Sequence, residues 1–174
     1  MDEAKLTEKL IEKTYTRKDM ARRLRFLREY FEGGYFTFSE DDVTKFLVKK
    51  RAITDDIEAF MGFGEDFFRT FTKETFYKKI QGIAEAVRKL PVVTVYIPYE
   101  PVPAEIVRLG KWFREHIGKT TVLEIKTDAT LLGGCAFVFK GTYRDYSLRY
   151  YMMKKREEIS KVITEYVEKF YKET

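Results

Sequence analysis

Through the first ninety residues the apolar positions recur at helical spacing, and after Pro91 the period changes. Leu6, Leu10 and Ile11 fall on one face of a helix from about Ala4 to Lys13. Thr16, with Asp19 three residues on, reads as an N-cap and partial capping box for a second helix. That helix has Met20, Leu24, Leu27 and Phe31 as its stripe, with Arg22, Arg23, Arg25 and Arg28 on a solvated remainder, and Gly33-Gly34 ends it. Ser39 caps a third helix, which turns Val43, Phe46 and Leu47 inward and carries Glu40, Asp41 and Asp42 at its positive end. Thr54-Asp55-Asp56 opens a short helix through Ile57, Phe60 and Met61, broken by Gly62 and Gly64. Lys73 to Leu90 closes the set, with Phe76, Ile80, Ile83, Ala84 and Val87 as its buried side and Pro91 as its stop. Five or six short helices in ninety residues predict a bundle.

Beyond Pro91, Val92 to Ile97 is β-branched and aromatic, which predicts a strand. Pro98, Pro101 and Pro103 delimit a rigid connection, and Pro103 suits the first turn of a helix because that position needs no N–H. The helix would face Ile106, Leu109, Trp112, Phe113 and Ile117 inward and end at Gly118. Thr121 to Lys126 and Cys135 to Lys140 alternate as strands do, and Gly141-Thr142 signals a hairpin into a short partner at Tyr143-Arg144. Asp145 or Ser147 would cap a final helix reaching about Tyr171. The expected fold is therefore α+β: an N-terminal short-helix bundle over residues 1–90, then a small α/β module over 91–174. The module runs strand-helix-strand-strand-strand-helix with a long C-terminal helix.

With 174 residues, 44% of them hydrophobic and 35% charged, the chain has enough apolar surface for a core and does not resemble a disordered segment. One cysteine (Cys135) and one histidine (His116) exclude the common four-ligand zinc sites and any disulfide within the chain. The net charge of +5 is spread along it, with 19 basic and 17 acidic residues in 1–90 and 14 and 11 in 91–174. That is a weak electrostatic footprint for a polyanion binder. No apolar run is long enough to span a membrane. The acidic opening Met1-Asp2-Glu3-Ala4 resembles neither a secretory signal nor a transit peptide, so the expected location is cytoplasmic.

Candidate chemistry is sparse. Cys135 with His116 could pair as nucleophile and base, but Cys135 lies on an expected buried strand and His116 in a last helical turn, and no oriented third partner is evident. Asp128, Asp145 and Glu124 each have a local reading: turn, cap and solvent face. Leu131-Leu132-Gly133-Gly134 lacks the spacing of a phosphate loop and enters a strand, so it reads as a turn needing positive φ or close backbone approach. The arginines between Arg17 and Arg28 would suit nucleic acid, but Asp19 and Glu29 interrupt them. Twelve tyrosines and fifteen phenylalanines exceed what a core of this size needs. Leu148, Met152, Ile159, Val162, Ile163, Tyr166 and Phe170 form a stripe along the last helix that outruns one small sheet, which suggests a partner helix.

From Val92 to Ile159 the order of features resembles the C-terminal domain of the delta subunit of F-type ATP synthases, the oligomycin-sensitivity-conferring protein of mitochondria. The densest match is Thr127-Asp128-Ala129-Thr130-Leu131-Leu132-Gly133-Gly134, followed eleven residues on by Asp145-Tyr146-Ser147-Leu148-Arg149. The family pattern there is an Asp, an apolar turn, Gly-Gly, a hairpin, then Asp-x-Ser-x-Arg opening a helix. The resemblance implies a non-catalytic stator subunit without active site or cofactor. It would join the alpha subunits of the catalytic head, through the helical half, to b-type helices of the peripheral stalk, through the C-terminal module. It implies a protein peripheral to the inner (plasma) membrane by way of the complex, and neither a small-molecule substrate nor a specific nucleic acid as partner. Asp128, Leu132, Gly133, Gly134, Asp145, Ser147 and Arg149 carry the motif in structural roles. The stripe from Leu148 to Phe170 would face the stalk. The rival expectation is a basic nucleic-acid-binding module built on Arg17–Arg28. The E subunit of vacuolar-type ATPases has a similar Gly-Gly turn but opens with one long helix, which Gly33-Gly34 and Gly62–Gly64 forbid here.

Overall fold

In a computed structural model, which describes residues 3–172, the helical period of the first half becomes six helices. They are α1 (Glu3–Glu12), α2 (Arg17–Glu32), α3 (Glu40–Lys49), α4 (Thr54–Phe63), α5 (Glu65–Arg69) and α6 (Phe76–Arg88). The caps fall where the sequence places them. The Thr16 hydroxyl accepts from Asp19 N–H, and Ser39 accepts from Asp42 N–H. Gly62, expected to break the fourth helix, lies within α4, and it is Gly64, at φ 76°, that ends it and lets the one-turn α5 start at once. The last of the six begins at Phe76, three residues later than expected, and its Ala84 and Val87 are only half-buried.

The second half yields β1 (Val92–Ile97), α7 (Pro103–His116), β2 (Val122–Thr127), β3 (Gly134–Phe139), β4 (Thr142–Ser147), α8 (Leu148–Lys154) and α9 (Arg156–Lys172). The sheet order is β2-β1-β3-β4, with β3 antiparallel to both β1 and β4. The fold is α+β, as the sequence predicts.

The division of the chain differs from a single cut at Pro91. One compact unit comprises the described residues through Val92 together with Pro101–Glu124; the other comprises Val93–Glu100 and the described residues from Ile125 onward. The reason is in the polar contacts. Arg114 of α7 donates to the carbonyls of Ile11 (2.9 Å), Thr14 (2.6 Å) and Thr121 (3.2 Å), and Leu123 N–H donates to Tyr15 O at 2.8 Å. A helix that periodicity assigns to the second half thus completes the first. The approach is close: a Cβ on Gly110 would lie 2.2 Å from the Tyr15 ring, so only glycine fits. Phe113 is buried, but Trp112, expected inward, is 46% exposed.

The helical unit has an aromatic core. Phe26, Tyr30, Phe31, Phe46, Phe60, Phe63, Phe67, Phe68, Phe71 and Phe76 are all buried in one cluster with Leu6, Leu10, Met20, Leu27, Val43 and Leu47. Each fully buried ring contributes roughly 2–3 kcal/mol, and edge-on pairs such as Tyr30–Phe46 at 5.2 Å add to that. The phenylalanine surplus is therefore largely consumed by the bundle, which corrects the reading of it as interface material. Burial also pushes the Tyr30 phenol up to about 12.

Arg23 corrects another expectation. It is 1% exposed, not part of a solvated face. Its Nε donates to Asp56 Oδ1 at 3.0 Å, Nη1 to Thr14 Oγ1 at 2.8 Å, and Nη2 to Asp55 O at 3.0 Å; the Lys13 carbonyl and the Asp55 carboxylate also accept from it. Arg22 grips the other side of the fully buried Asp56 at 2.7 and 2.9 Å. Every charge in this cluster has its counter-charge, which is the condition for tolerating it away from water.

Candidate protein-binding surface

In the second unit, the motif residues from Asp128 to Arg149 converge on one turn. Asp128 accepts from Thr130 N–H (3.0 Å) and from the Thr130 hydroxyl (2.7 Å), which starts a 3-10 turn over Ala129–Leu131. Those two bonds hold the Asp128 carboxyl below the usual aspartate range. Leu132 then takes a left-handed conformation, φ 63°, and Gly134 another, φ 73°. Gly133 does not need positive φ, so the left-handed pair is Leu132 and Gly134 rather than the two glycines, and only Leu132 bears a steric cost for it. Gly134 also meets the backbone closely: a Cβ there would lie 2.4 Å from Tyr146 O. The carbonyl of Gly133 accepts from Leu148 N–H at 2.9 Å, which ties the turn to the first residue of α8.

From the other side, β3 and β4 pair in unbroken register, Gly134 with Ser147 through Phe139 with Thr142. β4 is a full six-residue strand, longer than the short partner expected at Tyr143-Arg144. The two-residue turn Lys140-Gly141, with φ of 48° and 76°, matches the twist of the hairpin. Of the two candidate caps for the last helix, Ser147 does the capping: it is fully buried and accepts from Tyr150 N–H at 3.1 Å. Asp145 stays in β4 and accepts from Ser147 N–H at 2.8 Å and from the Tyr143 hydroxyl at 3.2 Å. Hydrogen bonding from Ser147 holds the Asp145 carboxyl low, and the Arg149 charge favours ionisation of both Asp145 and Asp128. Six of the seven motif residues thus have a defined local task, and together they fix where α8 leaves the sheet. Leu132 is the seventh; its side chain is 63% exposed.

What leaves the sheet is bare. The expected single helix is two: Lys155 departs from helical geometry (φ −105°, ψ 19°) and separates α8 from α9. The charge order fits that break, with Lys154 and Lys155 at a negative helix end and Glu157 and Glu158 at the next positive one. Leu148 and Met152 on α8 are exposed. On α9, Val162, Ile163, Tyr166 and Phe170 are exposed, Tyr166 to 71%, and Ile159 is the one residue half-covered. Spacings of three and four place Ile159, Val162, Ile163, Tyr166 and Phe170 on one side. Tyr143, Tyr146, Tyr150, Tyr151 and Tyr171 are exposed in the same unit. The phenylalanines are mainly core; the tyrosines are mainly surface. Exposed apolar stripes of this length are the kind of surface on which proteins meet partners or membranes.

The other candidates are placed as follows. Cys135 lies half-buried on β3, and burial pushes its thiol up, away from reactivity. His116 is exposed at the end of α7, stacked on Trp112. Glu124 lies on β2. Among the described residues no group of three His, Cys, Asp or Glu could hold a metal ion, and no helix is long and apolar enough to cross a membrane. Four of the five arginines of α2 meet carboxylates: Arg22 on Asp19 and Asp56, Arg23 on Asp55 and Asp56, Arg25 on Glu29, Arg28 on Glu32. Sequence reasoning missed the Asp55-Asp56 pair as the counter-charge of α2. The available signal was two adjacent acids at a helix start, a pattern that helix-start preference also produces. No protein-family model and no curated protein matches the chain.

Proposed function

We propose that the chain is a non-catalytic stator subunit of a rotary F-type ATP synthase. In this reading the helical unit binds the alpha subunits of the catalytic head, and α8 with α9 binds b-type helices of the peripheral stalk. The protein then works in the cytoplasm, peripheral to the inner (plasma) membrane through the complex.

One observation carries the reading. The residues that resemble the delta-subunit motif build a turn whose product is a helix with an uncovered apolar side. Among the described residues α9 buries no side chain, so it gains little from tertiary packing, and isolated helices of about 15 residues are marginal in water. The stripe on α9 therefore needs a partner to be worth keeping, and a second amphipathic helix fits it. Two grips on one chain also make the joint tighter than either alone. The nucleic-acid alternative loses support because Arg22, Arg23, Arg25 and Arg28 are all paired with carboxylates.

The test is capture of tagged full-length protein from its own cell extract at physiological salt, with the retained chains identified by mass. Recovery of alpha and stalk subunits is expected. Recovery of nucleic acid, or of an unrelated complex in their place, overturns the assignment.

A further inference from the structure

Beside the last turn of α7, within the helical unit, lies an open concavity of about 500 Å³. Its wall carries Lys111, Arg114, Lys119 and His116 against a single acid, Glu115, with Tyr15 on the remaining side. Among the described residues none of the three fixed cations has a carboxylate within ion-pair distance.

Arg114 is the informative member. It is half-buried, yet everything it touches is neutral: three backbone carbonyls and the Tyr15 ring at 4.3 Å. Desolvation without a counter-ion lowers its pKa. A guanidinium has five N–H donors, and three are spent on the carbonyls. The contrast with Arg23, whose charge is fully matched by Asp55 and Asp56, is direct. Behind the wall, Thr121 is 1% exposed and its hydroxyl finds no hydrogen-bond partner among the described residues; it sits 3.6 Å from where a Cβ on Gly118, a wall residue, would be. Basic residues at a helix C-terminus offset the dipole, but the dipole amounts to about half a charge. Three cations exceed that need.

We propose that this concavity binds a polyphosphate oxyanion. Several negative charges on a compact group with many acceptor oxygens answer two point-charge ammoniums and a guanidinium fork together, which one carboxylate does not. Two sources share this chemistry, inorganic pyrophosphate and the phosphate tail of a nucleotide. The site is independent of the stalk-binding reading and stands or falls separately from it.

Trp112 provides the readout. It is the chain's single tryptophan, and it stacks on His116 at 4.3 Å. Full-length protein is titrated with pyrophosphate, and in parallel with adenosine diphosphate, at physiological salt while tryptophan emission is followed. A saturable change is expected. Lys111→Gln and Lys119→Gln should each raise Kd about five-fold, the scale of one exposed charge pair. Lys45→Gln, an exposed lysine on α3, should leave Kd unchanged. Tighter binding of the nucleotide assigns the nucleotide tail as source; equal or weaker binding assigns the free anion. Absence of saturation with both ligands, or an equal loss in all three variants, overturns the proposal.

Discussion

Arg114 Nη2 donates to the carbonyl of Thr14 at 2.6 Å, across one hundred positions of sequence. With the bonds to Ile11 and Thr121, it fastens α7 to the α1–α2 connection. The helical unit is therefore discontinuous in sequence, and a fragment ending at residue 90 lacks part of its own structure. Arg114→Met should cost the helical unit about 2 kcal/mol by leaving the Thr14 and Thr121 carbonyls without their donor, while the Ile11 carbonyl keeps Thr14 N–H. Denaturant unfolding measures it. A fragment of residues 1–90 should melt well below the intact chain by circular dichroism.

The buried pair Arg23–Asp56 makes a second prediction. Asp56→Ala takes from the enclosed Arg23 one of its two carboxylates, leaving it only the partly exposed Asp55, and leaves Arg22 with Asp19 alone. The expected destabilisation is about 3–5 kcal/mol, read as a lower denaturation midpoint with unchanged slope. The exposed pair Arg69–Glu65 is the contrast: Glu65→Ala should move stability by less than about 1 kcal/mol.

Gly134 holds φ 73° with the Tyr146 carbonyl against its Cα. Gly134→Ala should destabilise the sheet unit by about 3 kcal/mol, from the left-handed backbone and the overlap together. Gly141→Ala, with the same sign of φ but open space around it, should cost only about 1 kcal/mol. Comparing the two by thermal melting separates crowding from backbone strain.

The turn should also be acid-sensitive. Asp128 and Asp145 both lie below the ordinary aspartate value of 3.8. A carboxyl lowered on folding stabilises the fold above its unfolded value, and that contribution is lost as pH falls through the lowered folded value. The amide resonances of Thr130 and Ser147, which donate to these carboxylates, should titrate below pH 3.8 and not between pH 5 and 8.

Much of this was legible in the sequence, for reasons that vary by residue. Thr16, Ser39, Pro103 and the Gly141 hairpin act through neighbours one to four positions away, so local spacing reveals them. The largely exposed stripe from Ile159 to Phe170 was visible because it outran any sheet that could cover it. Arg23, Gly110 and α7's membership of the helical unit were not legible. Each depends on contact with a segment more than thirty positions distant, and a helical period reports which face is apolar without saying which neighbour meets it. Trp112 shows the same limit: its spacing suggests an inward face, but it stays 46% exposed and stacks on His116 of its own helix. The phenylalanine count misled because an aromatic core and an aromatic interface have the same composition.

The central claim is that α8 and α9 grip a stalk helix, and direct titration of the full-length chain with the isolated b-type stalk subunit tests it best. Binding should be saturable, with Kd near or below about 1 μM, a level that about 8 kcal/mol of net apolar burial and complementarity would supply. The exposed double variant Ile163→Asp/Tyr166→Asp should weaken it at least about a hundred-fold, while the melting of the two units stays unchanged. No binding by the native chain, or equal binding by the double variant, would contradict the account.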